Sequence, residues 1–131
     1  MNLKLRTFQV GSPRKRGEGL RIGTVRYLPR GVYKKDYAKL DYFDIWFPIL
    51  APSRKLLKWA HSQQDSASKF PEKYKREMMS NTNSRQAIKL LAKLALKTPI
   101  AIGCYCEDER YCHRSVLRKL IKEAASEKGG A

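Results

Sequence analysis

The residues with most chemical potential lie between Gly103 and Ser115, in the run GCYCEDERYCHRS. Three thiols (Cys104, Cys106 and Cys112), an imidazole (His113), two guanidinium groups and three consecutive carboxylates (Glu107 to Glu109) share thirteen residues. Three chemistries compete for them. Cys104 and Arg110 have the C-x5-R spacing of a phosphate-cradling loop, but the intervening carboxylates would repel a dianion, which argues against a phosphatase. Cys104, Cys106, Cys112 and His113 are enough ligands for tetrahedral zinc, although their spacing is not the usual C-x2-C of a structural site, and neither a metal nor a cofactor is expected. In the third reading Glu107, Cys112 and His113 are the catalytic set, acting as acid, base or nucleophile, while Arg114 holds an anionic group. The bland alternative is buried cysteines, a capping histidine and an arginine paired with nearby acids.

The elements on either side of this run explain why it would form a site. Ile100 to Tyr105 is an apolar run of the kind found in a strand covered on both faces. After it, Val116, Leu117, Leu120, Ile121 and Ala124 repeat with a 3.6-residue period and predict an amphipathic helix with Arg118, Lys119 and Lys122 outward. Cys112 to Ser115 therefore fall at a helix N-terminus beyond the carboxyl end of a buried strand. There free N–H groups and the helix dipole favour anions and thiolates.

The rest of the chain predicts a supporting α/β layer. Alternation predicts strands over residues 3–10 and 20–28, the second stopped by Pro29. Residues 11–19 between them form a basic loop carrying Arg14, Lys15 and Arg16. Ser53 caps a helix whose Leu56, Leu57 and Trp59 recur at helical spacing. A loop over 62–68 precedes a helix from Pro71 to Met79, and Ser84 is a candidate cap for the next, which ends at Thr98-Pro99. Residues 32–51, rich in tyrosine, phenylalanine and tryptophan, have no clean period and receive no assignment. The expected fold is α/β, a single layered domain over 1–131 with a mostly parallel sheet flanked by helices and a flexible tail at 126–131.

Charge points to a partner. The chain of 131 residues carries 28 Lys and Arg against 12 Asp and Glu, a net charge of +16. The excess is concentrated before residue 100, away from the cysteine run. Such a field favours polyanions, and Arg14, Lys15, Arg16, Lys34 and Lys35, with Arg21 and the nearby Tyr27, Tyr33 and Tyr37, are candidate nucleic-acid contacts. No helix-turn-helix, zinc-finger, RRM or KH signature is present, so sequence-specific readout is not indicated. No window is apolar enough for a membrane span or export signal, and three clustered cysteines do not make a disulfide framework, so a cytoplasmic setting without membrane contact is expected. His61 reads as complementing a helix end, and Trp46 and Trp59 as packing groups.

Several of these segments resemble the YeaO-like family of domains of unknown function. The strand ending Arg26-Tyr27-Leu28-Pro29-Arg30-Gly31 is similar to that family's R-x-W-P-R-G, with Leu28 in place of the tryptophan and Val25 in place of a preceding aspartate. Ala51-Pro52-Ser53 with Leu56, Lys58 and Trp59 resembles its A-P-S-x-x-L-x-K-W helix start, and Phe70, Tyr74 and Glu77 its F-x3-Y-x2-E. Cys106-Glu107 followed by Cys112-His113-Arg114 resembles its C-x-E and C-H-R, with one residue fewer in the first. The resemblance implies a small α/β domain whose Pro-Arg-Gly turn and C-H-R helix start are pocket walls, and it supplies no activity. Three expectations of function are weighed. In the first, the protein binds nucleic acid or a nucleotide-like anion, with Arg26, Arg30, Arg114 and Ser115 on the anion. In the second, it is an enzyme on a small phosphorylated or carboxylate substrate. In the third, it is a structural zinc domain held by the cysteine run.

Overall fold

The computed structural model describes residues 3–62, 66–105 and 113–126. Four parallel strands, β1 (Leu5–Gln9), β2 (Leu20–Gly23), β3 (Ile45–Trp46) and β4 (Ile100–Cys104), form one sheet in the order β1-β4-β2-β3. The helices are α1 (Arg54–Ser62), α2 (Ser66–Ser80), α3 (Thr82–Lys97) and α4 (His113–Ser126), with a 3-10 turn at Pro48–Leu50. The chain is thus an α/β fold with a wholly parallel sheet. No helix among the described residues is long and apolar enough to cross a membrane.

β4 is the central strand, hydrogen-bonded on both edges, and all five of its residues are buried. This accounts for its unbroken apolar run, since a parallel strand covered on both faces has no solvent side on which to place polar residues. Its alternate residues serve two different layers. Ile100 and Ile102 join Leu5 and Ile22 beneath the helices, where Leu56, Tyr74, Leu91, Leu117 and Ile121 complete the main core. Ala101 faces the other way, with Phe8, Val25 and Phe43.

That second face is covered by the aromatic segment that showed no period in the sequence, rather than by a helix. Phe43 is wholly buried, with Tyr37, Tyr42 and Trp46 packed around the same cluster. Two glycines side by side in the register, Gly23 on β2 and Gly103 on β4, make room for it. A Cβ on Gly23 would lie 2.5 Å from the Phe43 ring, and one on Gly103 2.3 Å from the Phe8 ring. The flat surface they leave lets aromatic rings seal a sheet face at van der Waals distance.

Arg21, a candidate nucleic-acid contact from its sequence position, is instead fully buried on this face. Its Nε lies 2.6 Å from Glu18 Oε1, its Nη2 donates to Pro13 O, and its guanidinium sits 4.4 Å from the centre of the Phe8 ring. Burial alone would raise the Glu18 pKa, but hydrogen bonds from Arg21 and the Lys15 amide hold its carboxyl below the usual range. Alternation could not reveal this, because both faces of β2 are interior.

Local capping refines the helices. Ser53 Oγ accepts from the Leu56 amide, as its position suggested, and the same hydroxyl donates to Glu77. α3 is capped by Asn81, whose side chain accepts from Asn83 N. Ser84 lies inside α3, its hydroxyl turned toward Ile49 O at 3.4 Å. α2 starts at Ser66, five residues before Pro71, which lies within the helix. Proline there forgoes the single bond to the carbonyl four residues back, a local cost that the buried Phe70, Tyr74 and Met78 offset. α4 continues through Ser126, the first residue of the expected tail, and the rest of that segment lies outside the described residues.

Candidate functional site

β2 and β4 are neighbours and their carboxyl ends open toward the same edge of the sheet. Leaving β2, Thr24 stays attached to β4: its amide and its hydroxyl both donate to Gly103 O, each at 3.0 Å. His113, the first residue of α4, closes the arrangement. Its Nε2 lies 2.6 Å from Thr24 O and 3.2 Å from Thr24 Oγ1. A carbonyl can only accept, so Nε2 carries the proton and the lone pair of the neutral ring is on Nδ1. Burial is the largest influence on this imidazole and pushes its pKa down. The Thr24 bond opposes the shift, the Arg114 charge adds to it, and the result is about 4. His113 is therefore a neutral side chain at pH 7, and its ring also stands 5.1 Å from that of Tyr74.

Arg114 is 5% exposed. Its Nη1 donates to Phe8 O at 2.9 Å and lies 3.7 Å from Cys104 Sγ, which ties the ends of β1 and β4 to the start of α4. Its Nε is buried without a hydrogen-bond partner among the described residues. Cys104 itself is disulfide-bonded, so one member of the cysteine cluster forms a covalent bridge, contrary to the expectation that the cluster contains no staple. Glu107 and Cys112, two of the three candidate catalytic residues, lie outside the described residues together with Cys106. Among the described residues no group of three His, Cys, Asp or Glu side chains is placed to hold a metal ion.

At this strand edge lies a cavity of about 740 Å³, within the usual size of a small-molecule site. Val25, Leu57, Ala60 and Phe70 give it apolar walls, and Cys104, Tyr105 and His113 line the part nearest the strand ends. Arg26, Arg54, Lys58 and His61 supply the polar groups, and among the described residues no Asp or Glu lines it. α1 presents three of these, because Arg54, Lys58 and His61 are spaced i, i+4, i+7 and share one helix face. Arg26 is half-buried and donates to Pro52 O at 3.1 Å and Ala51 O at 3.3 Å, so it also closes the start of α1 onto the exit of β2. Tyr27 and Tyr105 form an aromatic rim, with Tyr105 Oη donating to Tyr27 O at 2.6 Å and the Arg54 guanidinium 5.9 Å from the Tyr27 ring. Burial, with a smaller contribution from Tyr42, pushes the Tyr105 hydroxyl up to about 12, so it remains protonated.

The structure brings together only part of the residue set read from the sequence. Arg26 and His113 line the cavity, and Ser115 is half-buried on α4. Arg114 is an internal tie between three elements and does not line the cavity. Arg30, Lys34 and Lys35 are exposed and lie outside its wall, Lys34 resting 5.8 Å from the Trp46 ring. Of the N-terminal run, Lys15 and Arg16 are exposed, whereas Arg14 is engaged by Asp41 at 2.6 Å, Asp44 at 3.0 Å and Gly19 O at 2.7 Å. Arg54, Lys58 and Tyr105 were missed. Arg54 and Lys58 received no functional assignment, and the available signal was that RKLLKWAHS contains no acid to balance them.

Comparison with known proteins bears on the family. The family model described as Active DUF488-N3 subclade matches residues 5–125. The chain is 30% identical to "Uncharacterized protein YeaO" of Escherichia coli (strain K12) over 122 residues, covering 93% of this chain and 98% of the relative. It is 28% identical over 104 residues to "Uncharacterized protein Rv3073c" of Mycobacterium tuberculosis (strain ATCC 25618 / H37Rv) and to "Uncharacterized protein Mb3100c" of Mycobacterium bovis, covering 79% of this chain and 81% of each. No solved structure matches. A match along nearly the whole chain, together with a relative of similar length, places it plainly: the chain belongs to the YeaO-like DUF488 family, in the Active DUF488-N3 subclade.

Proposed function

We propose that the protein binds a nucleotide-like anion in the cavity beside β2 and β4. One observation carries the reading: an apolar, aromatic-rimmed cavity is lined by Arg26, Arg54, Lys58 and His61 and, among the described residues, by no carboxylate. A planar base fits against Tyr27 and Tyr105, and a phosphate fits the Arg54 and Lys58 side of the wall, where charge-assisted hydrogen bonds are strongest. The exposed Lys15, Arg16, Arg30, Lys34 and Lys35 add long-range attraction for the same class of ligand. The test is isothermal titration with mononucleotides. The wild type is expected to bind at low salt, and Arg54→Ala with Lys58→Ala to weaken binding by at least about tenfold, the equivalent of one charge-assisted hydrogen bond. No binding, or binding indifferent to both substitutions, refutes the reading.

A second reading, a reaction on the bound ligand, draws on the ring of His113, which is neutral at pH 7 and has its Nε2 proton engaged by Thr24. In it the imidazole is the acid/base group. Product formation from phosphorylated substrates, followed by phosphorus NMR, should then fall in His113→Gln through kcat with KM little changed. Turnover that survives the substitution removes His113 from the chemistry.

A further inference from the structure

We infer that the partner is single-stranded nucleic acid, whose chain runs from the cavity across α1 into a second, basic groove between α1 and α2. This inference rests on the nucleotide reading of the cavity and extends it to a polymer. α1 is the wall shared by two concavities. One strip of it, Arg54, Lys58 and His61, faces the cavity, and the adjacent strip, Lys55 and Trp59, faces a shallower groove of about 380 Å³ completed by Lys73 and Arg76 of α2. Neither strip contains an acid, since the helix reads RKLLKWAHS.

The groove combines the two features that bind single strands without regard to sequence, a line of cations for phosphates and an aromatic ring for bases. Trp59 is the ring, with Lys73 Nζ 4.7 Å from its centre. Lys55 and Arg76 are exposed, and no ion pair to either is present among the described residues. Glu77 is the one carboxylate among the described lining residues, and both its oxygens are already engaged, Oε1 by Ser53 N at 3.0 Å and Oε2 by the Ser53 hydroxyl. Both oxygens therefore face the start of α1. A free mononucleotide needs only the cavity, so cations continuing along the far side of α1 fit a ligand that extends beyond one nucleotide.

Thymidine 5′-monophosphate and an oligothymidylate of about fifteen nucleotides, long enough to cover a typical single-strand site, separate the two claims. The variant is Lys55→Ala, Lys73→Ala, Arg76→Ala, all outside the cavity wall. The oligonucleotide is expected to bind the wild type more tightly than the monophosphate does, and a duplex of the same length more weakly. The triple variant should lose at least about tenfold in oligonucleotide affinity and about 2 in the slope of log K against log salt, with monophosphate affinity unchanged. In Trp46→Phe, which leaves Trp59 as the sole indole, the oligonucleotide should quench fluorescence and the monophosphate should not. Oligonucleotide binding no tighter than monophosphate binding, unaffected by the triple variant, or equalled by duplex overturns the inference and leaves the cavity reading standing. Failure of the monophosphate to bind the wild type overturns both.

Discussion

His113 makes stability depend on pH between neutrality and mild acid. Its folded pKa of about 4 lies below its ordinary value of 6.5. The unfolded chain therefore takes up a proton between pH 6.5 and 4 that the folded chain refuses. Stability contributed by the neutral, buried ring is complete above pH 6.5, falls as pH drops through this window and levels below about 4. Applied to these two values, linkage gives a loss of about 2 kcal/mol between pH 7 and pH 5. For a domain of this size that is roughly a 1 M lower urea midpoint. The carboxylates with lowered pKa values, Glu18 and Asp41, lose their contribution mainly at lower pH and add little to this interval. Urea unfolding at pH 7 and pH 5 should be compared for the wild type and His113→Gln, whose amide keeps a donor for Thr24 O but does not titrate. The wild-type midpoint should move and that of His113→Gln should stay. Equal movement of both would refute the assignment of a buried neutral histidine.

Three further outcomes follow from the packing. Gly103→Ala places a methyl group against the Phe8 ring and should destabilise by about 1–3 kcal/mol as overpacking, visible as a lower Tm; an unchanged Tm would mean that the aromatic layer yields freely. Glu18→Gln strips the partner from a wholly buried guanidinium and should cost about 3–5 kcal/mol, whereas Glu18→Gln with Arg21→Met should recover part of that loss; a double variant no better than the single would mean that the pair is not the source of the cost. Ser53→Ala removes the cap of α1 and should cost about 1 kcal/mol by urea unfolding, with Glu77→Gln affecting the same helix start; strict additivity of the two would contradict their shared hydrogen bonds.

How much could be read from the sequence depended on whether a residue's neighbours were local. β4 and α4 were legible because an apolar run and a 3.6-residue period are properties of short segments. The position of the cavity followed from them, since a strand followed by a helix defines the carboxyl edge where α/β sites form. Ser53 was legible as a cap because its partner, Leu56 N, is three residues away. Arg21 was misread because nothing within the period of β2 shows that its guanidinium lies across the Phe8 ring, a contact between separate strands. The segment from 32 to 51 resisted assignment because only Ile45–Trp46 pairs in the sheet, Tyr37, Tyr42 and Phe43 form an irregular aromatic cover, and Pro48–Leu50 make a single 3-10 turn. Arg54 and Lys58 were passed over for a related reason. A charged helix face looks the same in sequence whether it meets water or a cavity, and only tertiary placement opposite Tyr27 and Tyr105 distinguishes them.

The most direct test is a two-dimensional NMR titration of the wild-type protein with thymidine 5′-monophosphate, following backbone amides and histidine ring signals. Binding in the cavity predicts shifts concentrated at Tyr27, Arg54, Lys58, His61, Tyr105 and His113, with Lys15, Arg16, Lys34 and Lys35 nearly still. Shifts confined to those exposed N-terminal cations, or none at all at millimolar ligand, would contradict the account.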